Sequence, residues 1–138
     1  MKVKTEKQAL LKAAQIIQNV VSVKGTLPIL SNILVEAEGD KIKLTATDLE
    51  MGMYYSVPAE VMQPGALTVP ARKFNEIIKE LPDGSVLLST LKNNTMSINS
   101  ESVYFKLLGL LILFCPLPPL PVYLTISAGC LLLIQRFE

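Results

Sequence analysis

Residues 65–74 read Gly65-Ala66-Leu67-Thr68-Val69-Pro70-Ala71-Arg72-Lys73-Phe74. Gly65 to Val69 is a short strand, and Pro70 stands where a first helical residue tolerates a missing N–H and a fixed φ. Phe74, Ile77, Ile78 and Leu81 then recur at helical spacing and draw one apolar stripe. Arg72, Asn75, Glu76 and Lys79 fall away from it. Pro82-Asp83-Gly84 stops the helix, and three strands follow at Val86 to Leu91, Thr95 to Asn99 and Ser102 to Leu107, with Asn93-Asn94 as a turn.

The same order precedes this stretch. Met1 to Lys4 reads as a strand, and Thr5 followed by Gln8 has the form of a capping box opening a helix. Leu10, Ala13, Ala14, Ile17, Val20 and Val21 line that helix on one side, opposite Lys12, Gln15 and Asn19. Gly25 and Pro28 end it and bracket a loop, Val23 to Pro28, that carries Lys24. Ile29 to Ala37 and Lys41 to Thr47 are strands joined by Gly39-Asp40, a pair suited to a tight hairpin. Asp48-Leu49-Glu50 turns the chain into Met51 to Val57, and Pro58 and Pro64 close this half. Each half runs strand, helix, three strands. The pattern predicts an α+β, pseudo-two-fold domain with two helices side by side on a curved antiparallel sheet.

The whole chain has 138 residues, with 13 Lys and Arg against 12 Asp and Glu and no His. A formal charge of +1 points neither to a strongly basic nucleic-acid binder nor to an acidic tail. The average hides a break, because the last 32 residues, Leu107 to Glu138, hold only Arg136 and Glu138 as charges, and both cysteines, Cys115 and Cys130. The body before them contains neither His nor Cys, which argues against zinc chemistry and Cys-His or Ser-His catalysis. Asp48 and Glu50 have no third ligand or Gly-rich phosphate loop beside them, so a hairpin corner accounts for them better than a metal or acid-base pair. No cofactor is expected. No apolar leader opens the chain and no disulfide framework is present, so a reducing cytoplasm is the expected compartment.

Taken in order, Thr26-Leu27-Pro28-Ile29-Leu30, Ala46-Thr47-Asp48-Leu49-Glu50-Met51, Pro64 to Phe74, Leu81-Pro82-Asp83-Gly84 and Phe105-Lys106-Leu107 make the first 110 residues resemble the N-terminal domain of the bacterial β sliding clamp, a DNA polymerase III subunit. The resemblance implies the DNA-clamp fold and a non-enzymatic role as a DNA replication processivity factor. Family members are rings of two chains with three such domains each, helices lining the hole and sheets outside, that encircle double-stranded DNA and tether the polymerase. A ring that slides must not grip, because each close phosphate contact adds affinity through counterion release. A near-neutral domain with a few inward cations meets that need.

On this resemblance Lys24 and Arg72 are DNA-binding residues, although any surface loop or helix bears such cations. Phe105 and Leu107 lie on an edge strand that the family uses to join another clamp protomer, with Lys73 near the same joint; a plain core role for the two apolar residues is the competing reading. An unpaired edge is a template for a further strand. Polymerase and clamp-loader subunits are family partners too, but the pocket that captures them belongs to later domains, which these 138 residues do not include.

Residues 111–138 form the second unit, a hydrophobic tail rather than a domain. Leu107 to Gln135 is free of charge, yet Pro116, Pro118, Pro119 and Pro121 split it, so a membrane-spanning helix of about 20 residues would break in the middle. No membrane partner is expected. The abrupt loss of charge where a polar linker should begin points to a frameshift or premature end, leaving a domain that does not close a ring alone. The alternative function is a free regulatory domain that binds full-length clamp chains and blocks ring closure, or an inert truncated product.

Overall fold

The computed structural model describes residues 1–21, 28–47 and 51–110. The first half contains β1 (Lys2–Glu6), α1 (Lys7–Gln18), β2 (Asn32–Glu38), β3 (Lys41–Thr47) and β4 (Gly52–Pro58). A short β5 (Glu60–Gln63) follows. The second half contains β6 (Gly65–Pro70), α2 (Ala71–Glu80), β7 (Ser85–Leu91), β8 (Thr95–Ser100) and β9 (Val103–Leu108). This is the α+β architecture that the alternation of apolar periods predicts, with two helices and antiparallel strands.

The strands form two sheets rather than one, in the orders β5-β1-β7-β8-β9 and β4-β3-β2-β6. Each half gives its first strand to the other half's sheet: β1 pairs with β7, and β6 pairs with β2. The sheets meet where the chain leaves β9, because Leu110 and Thr68 exchange backbone hydrogen bonds of 2.8 and 3.3 Å. Alternation along the strands turns Val3, Val86, Leu88, Met96 and Ile98 inward from one sheet and Ile33, Val35, Ile42, Leu44 and Val69 from the other. Both sheets and both helices bury these side chains in one common core. Phe74 of α2 is its largest fully buried member. Burying a side chain of that size contributes roughly 1.5–3 kcal/mol.

Several local expectations are corrected. Thr5 does not cap α1: the N-cap is Glu6, no side chain caps it, and the Thr5 hydroxyl donates instead to the Pro58 carbonyl at 3.0 Å. Thr5 is a strand residue whose side chain faces inward, which removes it from the helix start. The first helix ends at Gln18, short of Val20 and Val21. Asn19, Val20 and Val21 donate to carbonyls three residues back, so the last turn tightens where helix formers give way to Asn and Val. Val21 is nevertheless buried. Pro70 is the N-cap of α2 rather than its first residue, with ψ at 119°. Ile29 to Ser31, expected to begin a strand, belong to a turn of 3-10 helix, Pro28–Ser31, and the strand starts at Asn32. The turn residues behave as their chemistry requires: Gly39 has φ of 63°, and Asn93 and Asn94 have φ of 67° and 56°.

Candidate nucleic-acid interface

The two helices lie side by side, and each keeps its apolar stripe on the sheets. Leu10, Ala13, Ala14 and Ile17 are the buried residues of α1, and Ala71, Phe74 and Ile78 those of α2. Where the helices touch, the Asn75 side-chain amide donates to the Gln18 side-chain carbonyl. The Asn75 carbonyl oxygen is buried with no partner among the described residues. Above that contact a groove of about 930 Å³ opens between the end of α1 and the start of α2. Gln15, Ile16 and Gln18 of α1 line it with Asn19 and Val21 just after that helix, Arg72 of α2 with Pro70 just before it, and Ser31 from the 3-10 turn.

Arg72 is the only cation among the lining residues, which otherwise comprise three amides, one hydroxyl and three apolar side chains, with no carboxylate. Such a set can donate hydrogen bonds to phosphate oxygens without creating a deep well of positive potential. It contains no nucleophile–base pair, and no group of three or more potential metal ligands occurs among the described residues. The sequence singled out Arg72 but not its neighbours. Gln15, Asn19 and Asn75 were legible only as polar positions off the apolar stripes; that the two off-stripe faces adjoin is a consequence of helix packing, which the spacing does not encode.

The other selected residues are elsewhere. Lys73, adjacent to Arg72, pairs with Glu76 at 3.0 Å on the exposed surface of α2. Phe105 is half-buried on β9, whereas Leu107 faces inward and is 8% exposed, within the common core. β9 is a sheet edge, with β8 as its only strand neighbour among the described residues. Lys24, Asp48 and Glu50 lie outside the described residues, as does the hydrophobic tail 111–138. Among the described residues no helix is long and apolar enough to cross a membrane.

A family model described as "DNA polymerase III beta subunit, N-terminal domain" matches residues 1–112. The chain is 47% identical over 85 residues to a beta sliding clamp of Caulobacter vibrioides, covering 62% of this chain and 23% of the relative. It is 39% identical over 108 residues to the beta sliding clamp of Escherichia coli K12, covering 78% and 30%. Among solved structures, the DNA polymerase sliding clamp from Bacillus subtilis superposes with a TM-score of 0.79 at 28% identity, covering 88% of this chain and 34% of that one. Caulobacter crescentus pol III beta gives 0.77 at 40% identity, covering 86% and 32%. The chain thus spans 23% to 34% of the length of these relatives. The sequence motifs, the paired helices on antiparallel sheets and these likenesses agree: the chain belongs to the family of the DNA polymerase III beta subunit, N-terminal domain.

Proposed function

We propose that this domain serves as one segment of a sliding clamp, a non-catalytic cytoplasmic processivity factor that encircles duplex DNA and tethers the replicative polymerase. The observation that carries the reading is the groove between α1 and α2, where Arg72 is the single cation beside Gln15, Gln18, Asn19 and Ser31 and no carboxylate lines the wall. One cation among amides suits contact with passing phosphates rather than tight capture. Lys24 joins Arg72 in this role: it follows Val21 by three residues and precedes Ser31 by seven, and both of those residues line the groove. The β9 edge, with Phe105 and Leu107 and with α2 packed against it, serves as the joint to another clamp protomer, and the family resemblance assigns Lys73 to the same joint.

The test replaces the N-terminal domain of the Escherichia coli clamp with residues 1–110 of this chain and measures duplex affinity of the assembled ring across salt concentrations. Changing Lys24→Ala and Arg72→Ala together is expected to weaken binding on all sequences. The slope of log affinity against log salt should fall by about one for each cation that no longer meets a phosphate. An unchanged affinity and slope in a ring of normal mass would remove both residues from the DNA interface.

A further inference from the structure

The outer faces of the two sheets differ. On the five-stranded sheet, alternation turns Lys2, Lys4, Asn99 and Lys106 outward, opposite the buried Val3, Ile98 and Leu107. On the four-stranded sheet the registers align one charge-free row across every strand: Tyr54 of β4, Thr45 of β3, Leu34 of β2 and Thr68 of β6, with Leu110 bridged to Thr68 as a fifth position. Their strand neighbours Leu44, Val35 and Leu67 belong to the core, so the row points away from it. Its two ends are open, at 63% for Tyr54 and 54% for Leu110, yet Thr45 and Thr68 between them are only 8% and 3% exposed. Both threonine Oγ1 atoms are buried with no hydrogen-bond partner among the described residues. A hydroxyl on the wet side of a sheet would meet water, so two dry ones require a cover. Ser97, on the outer side of the other sheet, is buried too, but its hydroxyl is bonded to that of Ser89 at 2.6 Å.

We infer that the cover is the chain's own apolar segment, residues 122–134, laid across this row from Leu110 toward Tyr54. Leu110 exchanges two backbone hydrogen bonds with Thr68, so the chain that follows is delivered to one end of the row. Residues 111–121 allow a connection of up to about 35 Å. The segment after them spans about 20 Å even as a helix, and five positions at strand spacing measure about 19 Å. Residues 48–50, which join β3 to β4, are too short a link to reach Thr68 two strands away. The chemistry matches as well. Residues 122–134 carry no charge and neither does the row, while the nearest ions, Lys43 and Glu36, pair with each other at 3.8 Å beside it. The lysines of the other outer face would have to be desolvated under the same segment. A tether of this length holds the segment at an effective concentration of about a millimolar, which favours this seat over one on another chain. The segment is thereby a strap on the outer wall of the domain, kept out of water. The helix groove takes no part in it, so duplex binding can fail while the strap stands, and the reverse.

The cysteines supply the test, because residues 1–110 have none and Cys130 lies within the segment. A nitroxide attached to Cys130 of the full chain carrying Cys115→Ser is expected to broaden the amide resonances of Leu34, Thr45 and Thr68 and to spare those of Lys2 and Lys4. Mixing the labelled chain with an isotope-enriched, unlabelled one should leave the enriched chain's signals sharp, since the contact is within one chain. Thr45→Lys and Thr68→Lys each set a charge beneath the strap and are expected to speed reaction of the Cys130 thiol with a disulfide reagent at least roughly tenfold. Far-UV circular dichroism checks that these two variants keep the fold, and the nitroxide measurement needs neither of them. Broadening centred on Lys2 and Lys4, or on α2, overturns the inference by placing the segment elsewhere. Broadening of the enriched partner, or a chain found only in large assemblies, overturns it in favour of tails joining between copies. A thiol that already reacts at its urea-unfolded rate, with no broadening, overturns it and leaves the row to another occupant.

Discussion

A β-carbon placed on Gly109 would sit 2.6 Å from the Thr68 carbonyl oxygen, 2.9 Å from the Leu67 side chain and 3.0 Å from the Asn94 carbonyl oxygen. Two of those three neighbours are backbone atoms and cannot move aside cheaply. The Gly109 N–H also donates to that Asn94 carbonyl at 2.8 Å, which fixes the close approach. Gly109→Ala is therefore expected to cost about 1–3 kcal/mol in urea denaturation. Gly52→Ala is the matched control, since a β-carbon there meets nothing within 4 Å, and an equal loss at both positions would refute the steric account. The sequence reveals glycines and asparagines that turn the chain, such as Gly39 and Asn93, because the demand on φ is local. It is silent on Gly109, whose constraint comes from residues more than a dozen positions away. Thr5 shows the same limit, for its capping spacing with Gln8 was outweighed by a carbonyl 53 residues along the chain.

Among the elements, α2 is the most legible, because Phe74, Ile77 and Ile78 repeat without interruption and Pro82-Asp83-Gly84 leaves it nowhere to continue. Phe74 is 0% exposed at the centre of the core, so Phe74→Ala is expected to lower unfolding free energy by about 3–5 kcal/mol. Thermal or urea unfolding that moved by less than about 1 kcal/mol would mean the site collapses around the missing ring. α1 is less legible at its end, where apolar spacing persists through Val21 although the backbone has already tightened. β5 escaped notice altogether: its four residues carry too little period to declare a strand, and its pairing with β1 includes a register irregularity between Lys2 and Val3. Ion pairs do little at this scale. Lys7 opens α1 against the helix dipole, and Asp83 approaches it at 3.2 Å while itself 78% exposed, which bounds the pair at about 1 kcal/mol or less.

At the scale of the molecule, neither half owns a complete sheet. The sequence repeat of strand, helix and three strands was readable, and the exchange of first strands was not, because pattern fixes which face a strand buries but not which neighbour it takes. The groove was half-legible for the same reason: Arg72 could be picked out, its setting could not. One consequence is cooperativity. The fragment 1–64 is expected to show no stable sheet by circular dichroism, and mixing it with 65–138 should regenerate the spectrum of the whole chain; an independently folded first fragment would contradict the exchange. Another concerns synthesis. Val3 of β1 takes Leu88 of β7 as its partner, 85 residues later in the chain. At the rates typical of translation the ribosome needs about 4–17 seconds to deliver that partner. Through that interval the nascent chain holds its first strand in waiting, with Val3 and the apolar stripe of the helix that follows it lacking half of the sheet that will cover them.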